Sequence, residues 1–259
     1  MSYYTVKEIY PWLHGMIDKT GVCAYLVIGD NAAILYDVCY GISPIMPEIR
    51  KITDKPVTVV LGHGHGDHAN GAYEFDTVFM HDDEHDLFNQ YNSPKGRAEV
   101  ISKMKFLPDG FDSDAYINVR TPHIKSLTAG MVFDLGGITV DAIAMEGHTS
   151  GSIGLLVREK RVLLVGDATS SHVWMHLPQS LTLDKYVAML ERVSTLDFDA
   201  FLSGHNSELK PKSDFAKFIK AANNATIEKS TPHDIMPGLD GYLYEEDGAE
   251  IVFNARTRG

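Results

Sequence analysis

The sequence has few cysteines, no long apolar segment and fewer basic than acidic residues. Its 259 residues include only two cysteines, Cys23 and Cys39, which are too few for a disulfide framework. No apolar run is long enough to span a bilayer, and the charged residues within 1–20 argue against a signal peptide. These absences predict a cytoplasmic protein with no membrane partner.

The chain is acidic. Lys and Arg total 23 and Asp and Glu total 35, so the formal net charge is −12. An acidic surface repels phosphate backbones, which argues against a nucleic-acid partner unless a local basic groove exists. Hydrophobic residues make up 44% and charged residues 22% of the chain, a composition typical of a globular protein. Nothing in the sequence predicts an oligomeric state.

Neither a repeat nor a low-complexity linker divides the chain, which predicts one domain over residues 1–259. Short apolar, β-branched runs alternate with segments of helical spacing, the pattern of the α/β class. The predicted strands are a hairpin of 22–28 and 32–38, then 57–61, 138–144, 153–157, 162–165 and 200–202. The predicted helices are 184–196 and 211–229. Residues 90–125 contain scattered Pro and Gly and predict an irregular, lid-like insertion.

Four predicted strands end in the same way, with a glycine followed by a side chain that can bind a metal. The four pairs are Gly62-His63, Gly147-His148, Gly166-Asp167 and Gly204-His205. Glycine allows the backbone to turn sharply after a strand. Because loops on a rigid scaffold commonly carry ligands, the repeated pattern predicts that these side chains meet at one sheet edge.

The first of these segments carries four candidate ligands, His63, His65, Asp67 and His68. Side chains two apart in extended backbone point the same way, so His63 and His65 can bind one ion. A helix that begins near Asp67 would turn Asp67 and His68 toward a second ion. A His-rich tract can also bind metal adventitiously, and an isolated His or Asp is more often a structural residue. All the candidates together favour a dinuclear site for zinc, although iron and manganese suit the same ligand types.

The motif H-x-H-x-D-H at residues 63–68, followed by His148, Asp167 and His205, resembles the signature of the metallo-β-lactamase superfamily. The resemblance covers about residues 25–205 and implies a four-layer αββα sandwich with metals between the sheet edges. It implies that Asp167 bridges the two ions, as in the glyoxalase II and lactonase-like branch. The implied ligands of one ion are His63, His65 and His148, and those of the other are Asp67, His68 and His205.

This resemblance implies a metal-dependent hydrolase in which a hydroxide shared by two ions attacks a small ester, thioester, lactone or amide. Asp67 is the expected catalytic residue, because it can hold both the second ion and the proton of the nucleophile. Ser170 stands where the lactonases of the family have tyrosine, which disfavours a lactone. Substrate contact and ordinary packing explain the nearby polar and aromatic residues equally well. These candidates are His172, Trp174 and His176 after Asp167, and Tyr91, Phe106 and Phe111 in the insertion.

Three other functions fit the same residues. Phosphodiesterase or nuclease action at the two ions is opposed by the net charge of −12. Redox or oxygen chemistry at iron is compatible with the ligand types. A non-catalytic metal-binding role is disfavoured by the complete ligand set. His81 and His85 lie outside the glycine pattern and are interpreted as surface or strand-end residues.

Overall fold

A computed structural model describes residues 2–170, 172–233 and 239–258. The chain divides into two compact units, Met1–Ala142 and Ile143–Gly259. Within the described ranges, no helix combines the length and apolar character needed to cross a membrane. The single domain over residues 1–259 stays a prediction.

The first unit is built on a seven-stranded mixed sheet whose strands lie side by side in chain order. These strands are β1 (Thr5–Tyr10), β2 (Leu13–Ile17), β3 (Cys23–Ile28), β4 (Ala33–Tyr36), β5 (Val57–Val60), β6 (Thr77–Met80) and β7 (His123–Ser126). Neighbours are antiparallel from β1 to β4 and parallel from β4 to β7. β8 (Val132–Asp134) forms an antiparallel pair with the start of β9 (Thr139–Ala144), which runs across the boundary between the units.

Short helices accompany this sheet: α1 (Met46–Arg50), α2 (Gly66–Ala69), α3 (His85–Asn92), α4 (Pro94–Lys103) and α5 (Ser113–Ile117). Single 3₁₀ segments lie at Asn70–Glu74 and Asp82–Glu84. Leu26, Leu35 and Val59 are fully or almost fully buried in the core of this unit. The predicted hairpin and the predicted strand 57–61 therefore supply the central strands of the sheet.

The segment 90–125 is more regular than predicted. Pro94 occupies the first turn of α4, and the Ser93 hydroxyl accepts a hydrogen bond from the Gly96 amide at 3.0 Å, so this proline starts a helix rather than breaking one. β7 pairs with β6, which makes the end of the segment part of the sheet. Irregular backbone is limited to Ser93 and to residues 104–112 and 118–122.

The second unit contains strands of two sheets. Its strands are β10 (Ile153–Val157), β11 (Val162–Gly166), β12 (His172–Trp174), β13 (Ala200–Ser203), β14 (Asn206–Pro211), β15 (Thr231–Pro232), β16 (Tyr242–Glu246) and β17 (Ala249–Phe253). β10, β11, β13 and β14 follow one another along one sheet, and only β11 and β13 are parallel. The other sheet has the order β12, β17, β16, β15, and only β12 and β17 are parallel.

The helices of this unit are α6 (Leu183–Ser194), α7 (Phe215–Asn224) and α8 (Ala255–Arg258), with 3₁₀ turns at Arg158–Lys160, Lys212–Asp214 and Ile227–Lys229. α6 buries the predicted stripe of Tyr186, Val187, Leu190 and Val193. α7 is shorter than the predicted 211–229, because 3₁₀ turns occupy both ends of that range. Apolar strands and these helical faces form the core of the unit.

Candidate metal centre

The loop after β5 brings four of the predicted ligands together in the first unit. The ring centroids of His63 and His65 are 4.8 Å apart, and those of His63 and His68 are 4.4 Å apart. His65 has extended backbone and α2 begins at the next residue, so Asp67 and His68 lie on the first turn of a helix, as predicted. The three histidines are buried and Asp67 is partly exposed.

Close backbone contacts explain the glycines of this loop. A Cβ on Gly64 would lie 2.7 Å from the carbonyl oxygen of Glu84 and 2.8 Å from the amide nitrogen of Phe88. The Gly64 amide also donates to Glu84 Oε2 at 2.8 Å. A Cβ on Gly62 would lie 2.4 Å from the hydroxyl oxygen of Tyr36. Glycine therefore lets the loop lie against the start of α3 and the end of β4.

Asp37 orients His68, a role that the sequence interpretation missed. Its fully buried carboxylate accepts from the Gly62 amide through Oδ1 at 2.7 Å, and its Oδ2 lies 2.9 Å from His68 Nδ1. Because a carboxylate only accepts, His68 carries its proton on Nδ1 and presents Nε2 as a ligand. The available signal was an acidic residue at the end of an apolar strand, although Asp37 lacks the preceding glycine that marks Asp167.

His148, Asp167 and His205 meet in the second unit. β11 and β13 are parallel with Gly166 opposite Ser203, so the residues that follow these strands lie at one sheet edge, as predicted. Oδ2 of Asp167 lies 3.2 Å from Nε2 of His205 and 3.7 Å from Nε2 of His148. One carboxylate oxygen therefore lies close to two imidazole nitrogens.

Backbone and hydroxyl contacts fix the orientation of His148. Its Nδ1 lies 2.8 Å from the carbonyl oxygen of Trp174, and its own carbonyl accepts from the Ser180 hydroxyl at 2.8 Å. A carbonyl only accepts, so Nδ1 carries the proton and Nε2 faces Asp167 as a ligand atom. His148 is thus oriented through its Nδ1 hydrogen bond in the same way as His68.

The donor set of each unit suits a divalent metal ion. His63 and His65 offer ligand atoms within 4.8 Å of each other, as do Asp67 and His68, and Asp167 and His205. Imidazole nitrogen and carboxylate oxygen are ligands of zinc, iron and manganese. A histidine whose Nδ1 donates to a carboxylate or a carbonyl is the usual arrangement at protein-bound metals. The residues present therefore fit a metal ion.

The predicted substrate contacts His172, Trp174 and His176 lie on or directly after β12. Their burial increases along the chain, from the exposed His172 through the partly exposed Trp174 to His176, which is 1% exposed. The rings of Trp174 and His176 are 5.7 Å apart. Burial, together with His148 and His233, lowers the pKa of His176 to about 4. Their contact with a substrate stays a prediction.

The three aromatic candidates of segment 90–125 lie in different surroundings. Tyr91 is 5.6 Å from His65, centroid to centroid, and burial together with Asp67 raises its pKa. Phe111 packs against Tyr116 at 5.5 Å, and Phe106 is 52% exposed. Of the three, Tyr91 is the one whose ring contacts a predicted ligand among the described contacts.

His81 and His85 are separate from these clusters. His81 caps the 3₁₀ segment Asp82–Glu84 by accepting from the Asp83 amide at 3.2 Å, and His85 begins α3. Neither belongs to a group of His, Cys, Asp or Glu residues that could hold an ion within the described ranges.

Comparison with known proteins gives one family and several relatives. The family model described as "Metallo-beta-lactamase superfamily" matches residues 18–205. The chain is similar to the human "Acyl-coenzyme A thioesterase MBLAC2", with 29% identity over 164 residues that cover 55% of this chain and 52% of that protein. It is also similar to the "Atrochrysone carboxyl ACP thioesterase" of Aspergillus fumigatus, with 23% identity over 153 residues, 59% of this chain and 39% of that protein.

A solved metallo-beta-lactamase from Pontibacter korlensis has a TM-score of 0.61 with 14% identity, over 86% of this chain and 100% of that chain. At this identity the likeness concerns the fold. The aligned part spans about half the length of the human relative and less of the fungal one. The activities in these names therefore describe those proteins.

Proposed function

The chain belongs to the metallo-beta-lactamase superfamily, and from this premise we propose that it is a metal-dependent hydrolase of small acyl thioesters. The predicted α/β fold of metallo-β-lactamase type is confirmed by the family match and the structural likeness. The observation that carries the proposal is the pair of His and Asp clusters, one in each unit, whose Nε2 atoms lie beside carboxylate oxygens. Imidazole nitrogens and carboxylate oxygens are the donors that divalent ions take.

We assign the ligands as the sequence predicted. One ion would be held by His63, His65 and His148 and the other by Asp67, His68 and His205, with Asp167 available to both. The separations within each unit and the Nδ1 hydrogen bonds of His68 and His148 support this assignment. Zinc is the proposed metal because imidazole and carboxylate are among its usual ligands.

Two divalent ions, when bound, lower the pKa of a shared water toward about 7 and polarise a carbonyl oxygen. The chain's own contribution is to hold and orient these groups. Asp67 is partly exposed, with Oδ2 3.4 Å from His68 Nε2. Its carboxylate would accept the proton that the nucleophilic water releases. Asp37 keeps His68 in the ligand tautomer throughout.

The thioester class rests on two lines of support. Both curated relatives described above are named as thioesterases, one for a coenzyme A ester and one for a carrier-protein ester. A thiol has a pKa of about 8.5, so a thiolate departs without a dedicated proton donor. The site as assigned supplies an acceptor for the water proton in Asp67, and a thioester requires no second acid.

The test is metal analysis of protein expressed in defined medium, followed by assay of thioesters, esters, lactones, amides and bis-p-nitrophenyl phosphate. We expect about two zinc ions per chain and the highest kcat/KM on thioesters. Asp67→Ala should lower kcat by about 10²–10⁴-fold, the range for a lost proton acceptor. Asp86→Ala, which removes an exposed carboxylate from α3, is the matched control. Wild-type turnover by a metal-loaded Asp67→Ala variant would refute the mechanism, and hydrolysis limited to the phosphodiester would refute the substrate class.

A further inference from the structure

We infer that Arg256, in the C-terminal helix α8, is a positioning residue that fixes which ring nitrogen of His148 is offered to a metal. The inference rests on the proposed metal site and adds a residue that lies beyond the range 18–205 matched by the family model. It depends on three sets of contacts, all within the second unit. They lead from α8 to the segment 174–180 and from there to His148.

The first contacts fix the start of this segment. β12 pairs with β17 in parallel, with Trp174 opposite Val252, and the Met175 amide donates to the Val252 carbonyl at 2.7 Å. The Asn254 side chain donates to the His176 carbonyl at 2.8 Å. The position of the Trp174 carbonyl is therefore set by the strand that leads into α8.

The second set of contacts holds the C-terminal part of this segment, at Leu177 and Ser180. Arg256 donates to the Ser180 carbonyl through Nη1 at 2.9 Å and to the Leu177 carbonyl through Nη2 at 2.5 Å. The guanidinium is planar and holds its donors in a fixed fork, so one side chain sets the separation of two carbonyls. Lysine, whose single ammonium group lies at the end of a flexible side chain, does not impose that separation.

The third contacts connect the segment to His148. The Ser180 hydroxyl donates to the His148 carbonyl at 2.8 Å and lies 3.4 Å from the Trp174 carbonyl. The same Trp174 carbonyl accepts from His148 Nδ1 at 2.8 Å. The ring and the backbone of His148 are therefore both held by residues whose positions α8 and β17 determine. If this segment shifts, Nδ1 loses its acceptor and the alternative tautomer, with the proton on Nε2, gains population.

α8 itself provides a matched control. Arg258 carries the same charge on the same helix, but its Nη1 lies 3.8 Å from Asp184 Oδ1. The Asp184 side chain is 82% exposed. Arg258→Met and Arg256→Met thus remove the same side chain from one short helix. They differ in whether the segment 174–180 loses hydrogen bonds.

The first experiment determines the tautomer of His148 in the metal-free protein. Long-range ¹H–¹⁵N correlation spectra of the imidazole groups should show His148 protonated on Nδ1 in the wild type. In Arg256→Met and Arg256→Lys, the Nε2-protonated form should become measurable, and Arg258→Met should match the wild type. A wild-type tautomer in both Arg256 variants would overturn the inference.

The second experiment measures zinc affinity by competition with a chelator. Arg256→Met should lower the affinity for one of the two zinc ions about tenfold and leave the affinity for the other unchanged. Tenfold is the lower end of the range for loss of a residue that holds a metal ligand in place. Ser180→Ala, a small change, should do the same. Reduced urea stability of the metal-free Arg256→Met protein with unchanged zinc affinity would show a structural role alone and overturn the inference. Failure of the wild type to bind zinc would refute the proposed function, while the tautomer experiment would still decide the role of Arg256.

Discussion

At the residue scale, the buried Asp37 carboxylate both holds the loop after β5 and orients the candidate ligand His68. It is 0% exposed, and it joins the Gly62 amide to the His68 ring. Its backbone lies in the left-handed region at φ 62°, a conformation that Asp and Asn tolerate better than most residues. Asn at this position can therefore keep the fold of the loop while changing the hydrogen-bond chemistry.

We predict that Asp37→Asn lowers the zinc affinity of one ion by about 10–100-fold, the range for outer-shell partners of metal ligands. The amide oxygen can still accept from Gly62, but an amide nitrogen facing His68 Nδ1 favours the tautomer with its proton on Nε2. Chelator competition measures the change. Asp30→Asn, an exposed change in the turn between β3 and β4, should leave affinity unchanged. Equal affinities in the two variants would show that Asp37 does not orient the ligand.

His176 gives the stability of the metal-free protein a pH dependence. Its folded-state pKa of about 4 lies below the value of about 6.5 for an unfolded histidine. Between these values the unfolded chain binds a proton that the folded chain does not, so the stability present above pH 6.5 falls as the pH decreases toward 4. Complete titration of this one group corresponds to a loss of about 3 kcal/mol.

We therefore expect His176→Leu to reduce the loss of unfolding free energy between pH 7.5 and 4.5, measured by urea unfolding in the presence of a chelator. His123→Leu, at an exposed histidine of β7, should retain the wild-type loss. The same pH dependence in wild type and His176→Leu would contradict this assignment. The comparison between variants cancels the titration of the other histidines.

At this scale the sequence predicted the candidate ligands and missed the groups that orient them. His63, His65 and Asp167 follow apolar strands and glycines, and a local pattern can record that arrangement. The acceptor of His148 is the backbone carbonyl of Trp174, which any residue type would provide. Because the acceptor is a backbone atom, the residue type at position 174 does not indicate the contact.

At the element scale, prediction succeeded where burial is continuous. β10 occupies 153–157 as predicted, because a fully buried strand appears as an uninterrupted apolar run. β1 was missed, since five of its six residues are exposed and Lys7 and Glu8 interrupt the apolar pattern. β6 was missed as well; its four residues alternate between half-buried and buried positions.

A buried cation fastens α4, within segment 90–125, to other parts of the first unit, and the lid-like role of the segment stays a prediction. Arg97 is 1% exposed, and its guanidinium carbon lies 4.8 Å from the ring centroid of Tyr116 and 5.3 Å from that of Tyr73. Its Nη2 donates to the Asn70 carbonyl at 2.6 Å and to Asn92 Oδ1 at 2.7 Å. The residue joins α4 to the 3₁₀ segment that follows α2.

We predict that Arg97→Met lowers the free energy of unfolding by about 1–3 kcal/mol, because the buried Asn70 carbonyl loses its donor. Proteolysis within residues 104–112, where Phe106 and Leu107 are exposed, should accelerate in the same variant. Urea unfolding and limited digestion test both effects. Lys95→Met, at an exposed position of α4, should change neither, and an Arg97→Met protein as stable as that control would exclude the fastening role.

At the scale of the whole molecule, the sequence predicted the fold class, and the structure divides the chain into two compact units. The boundary after Ala142 falls inside β9, where no change of composition or Pro/Gly-rich linker marks it. Three of the seven assigned ligands belong to the second unit and four to the first. If they hold the same pair of ions, metal binding must couple the unfolding of the two units.

The two tryptophans of the chain make this coupling measurable, because Trp12 lies in the first unit and Trp174 in the second. Trp174→Phe leaves the emission of Trp12 to report one unit, and Trp12→Phe leaves Trp174 to report the other. Each zinc site at 100 times its dissociation constant adds about 2.7 kcal/mol, so two sites add about 5 kcal/mol, which is about 10–20 °C for a chain of this size. With zinc the two probes should share one midpoint, and a chelator should lower both midpoints and separate them. A chelator effect on one probe alone would mean that one unit holds the metal by itself, and the shared ligand assignment would then be wrong.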